Sequence, residues 1–214
     1  MEIQKNELLR YLGWRGQEMD DSLQTRLDNA AKLCMEIARP RCTAKKFILT
    51  DEMRLEGTDV RLEGKDIRAH LAGCRAVYLF AATLGIEPKR ETDRLFAEGK
   101  ATEALLLDTA ASCAIESYVE DICSDLQNSE SRSLTACFAC GYGDFPLSVQ
   151  PTLLRLLSAD TRIGLCTDET FALMPEKSIT AFVGITDRPA EREKYACGNK
   201  CARCKHGGCA YRKE

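Results

Sequence analysis

Four cysteines lie near the end of the chain, Cys197, Cys201, Cys204 and Cys209, spaced C-x3-C-x2-C-x4-C. Four thiolates within thirteen residues, with Gly198, Gly207 and Gly208 to let the backbone fold around an ion, are a metal-site pattern. Thiolates select zinc, copper(I) or iron–sulfur clusters over hard cations. Structural zinc usually takes two close pairs separated by a longer loop. The tight, continuous spacing here favours a [4Fe–4S] cluster over zinc. The bland alternative is a reduced tail without metal, although clustered thiols lacking a ligand are open to oxidation. His206 can replace one cysteine as a ligand or stand as an exposed loop histidine.

A second patch runs from Cys137 through Ala139, Cys140, Gly141, Tyr142 and Gly143 to Leu147. Two glycines around a tyrosine, between a strand and a helix, can offer backbone amides and an aromatic face to a ligand. No Gly-Lys-Ser/Thr follows, so it is not a phosphate loop. From spacing alone, an ordinary strand–helix turn with Tyr142 and Phe145 as core aromatics is the simpler reading. Cys137-x2-Cys140 reads as a redox dithiol, a second metal site or two small buried residues, the last being preferred.

The 214 residues include 12 cysteines, 44% hydrophobic and 29% charged residues. A chain of this length buries a core without cysteine staples, and its composition excludes global disorder. Thirty basic against thirty-three acidic residues give a net charge of -3, which argues against nucleic acid and membrane phosphates as partners. The N-terminal segment lacks a signal-peptide apolar core, and the longest uncharged apolar run, 76–86, is too short for a bilayer. The expectation is a cytoplasmic protein with reduced cysteines. Cys34, Cys42, Cys74, Cys113, Cys123 and Cys166 mostly have apolar neighbours and are read as small core residues.

Periodicity supplies the elements. Leu23, Leu27, Ala30, Ala31, Cys34 and Ala38 predict a helix over 20–39, capped near Asp20 and stopped by Pro40. Residues 47–49, 53–55 and 60–62 predict short strands, with a hairpin turn at 56–59. Residues 74–85 read as a buried central strand. A long helix is predicted over 101–126; its all-small middle, 110–114, lets another backbone or a ligand come close. Residues 135–139 suggest a strand, 141–146 a loop and 147–157 a helix. Ile179, Ala181, Val183 and Ile185 alternate as a strand. The sum is an α+β fold of mixed helices and mainly antiparallel strands in one compact domain, 1–195, with a Cys-rich metal-binding tail, 196–214.

Several segments in order resemble a known family. They are 70–74 (HLAGC), 81–85 (AATLG), Gly141-Tyr142 to Pro146, 153–157 (LLRLL), 163–165 (IGL) and 167–175 (TDETFALMP) running into Ser178-Ile179. Together they look like the activation domain of cobalamin-dependent methionine synthase, especially its small stand-alone forms. The first three tail cysteines also match the cluster motif of radical S-adenosylmethionine enzymes. Those carry it near the start of a large barrel, whereas only ten residues follow Cys204.

The activation-domain resemblance implies reductive reactivation of a cobalamin (corrinoid)-dependent methyltransferase, with S-adenosylmethionine as methyl donor. Its partners would be the corrinoid protein and a flavodoxin or ferredoxin-type electron donor, with the tail cluster relaying the electron. The chemistry belongs to the cofactors, and the protein positions them. By the same resemblance Gly141 and Tyr142 line the S-adenosylmethionine site, the Ala139 backbone contacts that ligand, and Glu116 attracts its cationic groups. Glu169 matches a recurring glutamate. Cys137 and Cys140 depart from the family, which has an arginine and a proline there. A thiol cannot replace the arginine's fork on the ligand carboxylate. Arg132 is the candidate to reach in for it. The alternative function is a non-catalytic redox or docking module that has lost S-adenosylmethionine binding.

Overall fold

The computed structural model describes residues 1–14 and 16–187. In chain order the elements are α1 (Lys5–Tyr11), α2 (Asp21–Ile37), β1 (Arg41–Ile48), α3 (Lys65–His70), β2 (Ala76–Thr83), α4 (Glu87–Ala97), α5 (Ala101–Ser129), β3 (Ser133–Leu134), β4 (Phe138–Ala139), α6 (Gln150–Leu157), α7 (Ala159–Ile163), β5 (Cys166–Thr167), β6 (Leu173–Met174) and β7 (Ser178–Thr186). The fold is α+β, as the sequence predicts.

One antiparallel sheet runs β1-β2-β7-β3, with β4 also pairing to β7. β2 and β7 are its centre. Their side chains alternate between two faces, and both faces are buried, which explains runs as apolar as AVYLFAAT. Val77, Leu79 and Phe182 face a core shared with Ile67 of α3, Leu153 and Leu157 of α6 and Ile163 of α7. Phe80, Val183 and Ile185 face Val119 and Ile122 of α5. The outer side of α5 carries a third cluster, in which Ala110, Ala111 and Ala114 meet Leu27, Ala30 and Cys34 of α2. The small-residue stretch thus admits another helix.

The predicted helix over 20–39 is α2, with the Asp20 side chain accepting the Leu23 N–H at 2.6 Å. Of the strands expected at 47–49, 53–55 and 60–62, the first is the end of β1, and the other two are reduced to isolated bridges, Leu49 with Leu55 and Arg54 with Arg61, around a turn closed by the Leu55 N–H on the Val60 carbonyl. The strand expected over 135–139 is split. Between β3 and β4, which both pair with β7, Thr135 exchanges hydrogen bonds with Gly184 through its N–H and Oγ1 in place of a regular ladder. α1, α3 and α4 were not signalled. α4, EPKRETDRLFA, has few apolar positions and is held by charge pairs such as Lys89–Asp93 and Arg94–Glu91.

Among the described residues all eight cysteines are thiols. Cys34, Cys113 and Cys123 are buried and Cys74 is half-buried, but Cys42 and Cys166 are exposed. Cys42 lies on β1, the edge strand, where burial drops to two positions in eight, and Cys166 lies in the short β5–β6 ribbon. Neighbouring apolar residues in sequence do not bury a side chain on an edge. Among the described residues no helix is long and apolar enough to cross a membrane.

Candidate functional site

Between α5, the 139–150 segment and the 172–180 segment lies a groove of about 420 Å³. That is within the range of roughly 300–1,000 Å³ usual for small-ligand sites. Glu116, Ile115 and Val119 form its α5 wall, and Ala139, Cys140 and Tyr142 its floor and lip.

The glycine–tyrosine loop is fixed from within. The Gly141 N–H donates to the Phe145 carbonyl at 2.8 Å, Tyr142 N–H to Ala139 at 3.2 Å, and Phe145 N–H to Tyr142 at 3.0 Å. Gly141 sits at φ +83, where a side chain is strained, and a Cβ there would come within 3.2 Å of Leu147 Cδ2. Phe145 is buried and packs at an angle on Phe138 and Phe182, while Tyr142 meets the Phe138 edge at 5.8 Å and stays partly exposed. Tyr142 is therefore a groove residue and Phe145 a core residue.

Asp144 then ties the loop to α3. Its carboxylate accepts the Lys65 N–H at 2.6 Å and the Asp66 N–H at 3.0 Å, while Asp66 Oδ2 accepts the Asp144 N–H at 3.3 Å. Gly64 at the N-cap of α3 has no side chain to do this. The Lys65 and Asp66 amides hold the Asp144 carboxyl below its ordinary pKa. The backbone amides that the sequence offered to a ligand are thus largely engaged inside the protein.

Glu116 reaches the groove from α5, and the N-terminal helix holds its carboxylate. Tyr11 O–H donates to Glu116 Oε1, and Arg10 Nη2 lies 4.0 Å from Oε2. Burial, and after it the Glu116 carboxylate, push the Tyr11 hydroxyl pKa upward. Gln150, almost fully buried, donates to the Phe171 carbonyl at 2.7 Å and accepts the Thr180 hydroxyl at 2.8 Å, which joins the α6, β6 and β7 sides of the groove. The groove carries two carboxylates, Glu116 and Glu176, and no lysine or arginine among its lining residues. Lys177 turns instead toward α5, 2.7 Å from Asp108 and 3.0 Å from Ser112.

The structure thus brings Glu116, Ala139 and Tyr142 to one groove, with Gly141 shaping its lip. Glu169 does not join them: it is exposed in the turn that Asp168 caps through the Thr170 and Ala172 amides. Arg132 pairs with Asp187 at 3.2 Å and does not line the groove. Cys137 and Cys140 are buried but are not a pair. Cys140 lines the groove, and burial pushes its thiol up to about 11. Cys137 turns toward α5, with its sulfur 3.1 Å from that of Cys123. Cys197, Cys201, Cys204 and Cys209 lie outside the described residues, as does the expected boundary near residue 195. Among the described residues no His, Cys, Asp and Glu cluster gathers to hold a metal. Gln150, Glu176 and Thr180 had no motif or spacing to mark them.

No protein-family model and no curated protein matches the sequence. Among solved structures thirteen chains match. One is the crystal structure of the MetH reactivation domain bound to AdoHcy, with a TM-score of 0.59 and 15% sequence identity over 87% of this chain and 74% of that one. At that identity the likeness is one of fold.

Proposed function

We propose that the groove binds S-adenosylmethionine and that the chain serves the reductive reactivation of a cobalamin (corrinoid)-dependent methyltransferase such as methionine synthase. The observation that supports this most is the gathering of Glu116, Ala139 and Tyr142 around one groove in a fold shared with a reactivation domain solved with AdoHcy. The groove's chemistry fits the cationic part of such a ligand. Glu176 and Glu116, the latter paired with Arg10 from outside the lining, supply negative charge, and Ile115, Val119 and Leu147 supply apolar surface.

In this reading Glu116, oriented by Tyr11 and Arg10, draws the ligand's cationic end toward α5. Ala139 presents its backbone, and Tyr142 covers the ligand with an aromatic face. Methyl transfer to reduced cobalt is chemistry that the ligand and the partner's cobalamin supply. This chain binds, orients and excludes water. The tail cysteines, Cys197, Cys201, Cys204 and Cys209, hold a [4Fe–4S] cluster or zinc. In the cluster case they pass an electron from a flavodoxin or ferredoxin-type donor.

One observation favours the alternative of a redox or docking module without S-adenosylmethionine: the groove has no guanidinium for the ligand's carboxylate. Calorimetric titration with S-adenosylmethionine and S-adenosylhomocysteine separates the two. The proposal expects both to bind, the sulfonium form more tightly, and Glu116→Gln to erase most of that difference. No heat with either ligand, with or without a corrinoid partner, overturns the ligand assignment.

A further inference from the structure

The sulfurs of Cys123 and Cys137 lie 3.1 Å apart. That is closer than simple van der Waals contact between sulfurs and about 1 Å longer than the ~2.05 Å of a disulfide. Both residues are almost fully buried. They belong to different elements: Cys123 is near the end of α5, and Cys137 joins β3 to β4. Neither side is loose. The Leu134 N–H donates to Gln127 Oε1 of α5 at 3.0 Å, and Leu134 and Ala139 on either side of Cys137 both pair with β7. The approach of the two thiols is therefore built by the sheet and the helix.

We propose that Cys123 and Cys137 are a two-electron redox couple, which a peroxide converts to a disulfide that staples α5 to the strand segment bearing the groove's floor. One sulfur, as thiolate, attacks the peroxide O–O bond and becomes a sulfenic acid as water or an alcohol leaves. The second sulfur then displaces the sulfenic oxygen as water. Two thiols lose two electrons and two protons, and one peroxide bond is reduced. A peroxide is small enough to reach sulfurs that larger disulfide oxidants cannot. Cys140 is not the partner: three residues on, it lines the groove beside Thr180.

The staple acts on the groove through short paths. Val119, one helical turn before Cys123, and Ala139, two residues after Cys137, both line it. Oxidation fixes the wall relative to the floor whatever ligand the groove holds.

The test uses the full chain, reduced and then treated with graded hydrogen peroxide. Remaining thiols are alkylated, and the protein is digested without reductant. A cross-linked peptide pair containing Cys123 and Cys137, two hydrogens lighter and reversed by a dithiol, is expected before oxidised Cys34 appears. The thermal midpoint should rise by roughly 6–12 °C, for a closed loop of about 15 residues in a domain of this size. Cys137→Ala should lose both the link and the rise under the same peroxide. Recovery of Cys137 linked to Cys140 overturns the proposal. So does recovery of Cys123 and Cys137 as alkylated thiols after exposed Cys42 and Cys166 are consumed, or an equal rise in Cys137→Ala.

Discussion

Gly141→Ala tests whether the groove's lip is set by backbone conformation, and Gly57→Ala is its matched control. Gly57 has φ +75 and nothing within 4 Å of an added Cβ. An alanine there carries only the left-handed conformation, about 1–2 kcal/mol, partly offset by the smaller entropy of its unfolded chain, for a net of about 1 kcal/mol. Gly141 carries the same plus contact with Leu147, whose Cδ2 and Cγ would lie 3.2 and 3.4 Å from the new carbon. Leu147 is 45% exposed, so it can yield by leaving its rotamer, for about another 0.5–1.5 kcal/mol. The thermal midpoint should therefore fall by roughly 2–4 °C in Gly57→Ala and by roughly 3–10 °C in Gly141→Ala. Leu147 also lines the groove. Its displacement removes about 1 kcal/mol of apolar contact from a bound ligand, so S-adenosylmethionine affinity should drop roughly fivefold in Gly141→Ala and stay unchanged in Gly57→Ala. Differential scanning calorimetry and titration calorimetry read the two effects separately. Equal midpoints in the two variants, or equal affinities, would overturn the account of the lip.

Three further outcomes follow from the same geometry. Burial raises the thiols of Cys34 and Cys140 to about 11 and of Cys113 to about 12, so the folded state keeps protons that the unfolded chain releases near pH 8.5–9. Stability should be full below that pH and fall from about pH 9 to about 11 through Cys34 and Cys140, and on to about 12 through Cys113, by up to ~1.4 kcal/mol per pH unit for each thiol, as urea titrations can measure. At the acid end the sign reverses: the lowered pKa values of Asp144 and Asp168 stabilise the fold above the ordinary carboxylate range, and that part is lost as pH falls through the shifted values. Anaerobic purification should give a brown protein with absorbance near 400 nm and about four irons, which Cys204→Ser abolishes. A colourless protein with one zinc would rule out the electron relay.

How much of this could be read from residues alone depended on whether one pattern fixed one neighbour. The period-2 run of β7, the unbroken apolar run of β2 and the period-3.6 faces of α2 and α5 each have one way to be buried, and all four formed as expected. α4 did not announce itself, because ion pairs leave little periodic trace, and the alternation at 53–55 and 60–62 predicted strands where only single bridges form. At the site, Gly141 and Tyr142 were visible as a loop, and Glu116 and Ala139 became visible only by resemblance. That Glu169 points away and that Cys137 faces Cys123 are facts of side-chain direction. A C-x2-C spacing suggests that two thiols meet, but here the pairing of β4 with β7 sends Cys137 and Cys140 to different neighbours.

The same direction of Cys137 bears on what the groove can recognise. A ligand's carboxylate is best held by a guanidinium fork or by backbone amides. The lining residues include no arginine, Arg132 is engaged by Asp187, and the amides of Gly141, Tyr142 and Phe145 are taken by carbonyls of their own loop. What faces the ligand is negative charge at Glu116 and Glu176 and apolar surface between them. Recognition should therefore read the sulfonium and amine and largely ignore the carboxylate. Decarboxylated S-adenosylmethionine separates these terms. In a site with an arginine fork, losing the carboxylate leaves a buried cation unmatched and costs about 2–4 kcal/mol, or ~30- to 1,000-fold in affinity. Here the decarboxylated ligand should bind within about threefold of the parent, and Glu116→Gln should weaken both alike. A loss of a hundredfold on decarboxylation would show that a cation from elsewhere completes the groove.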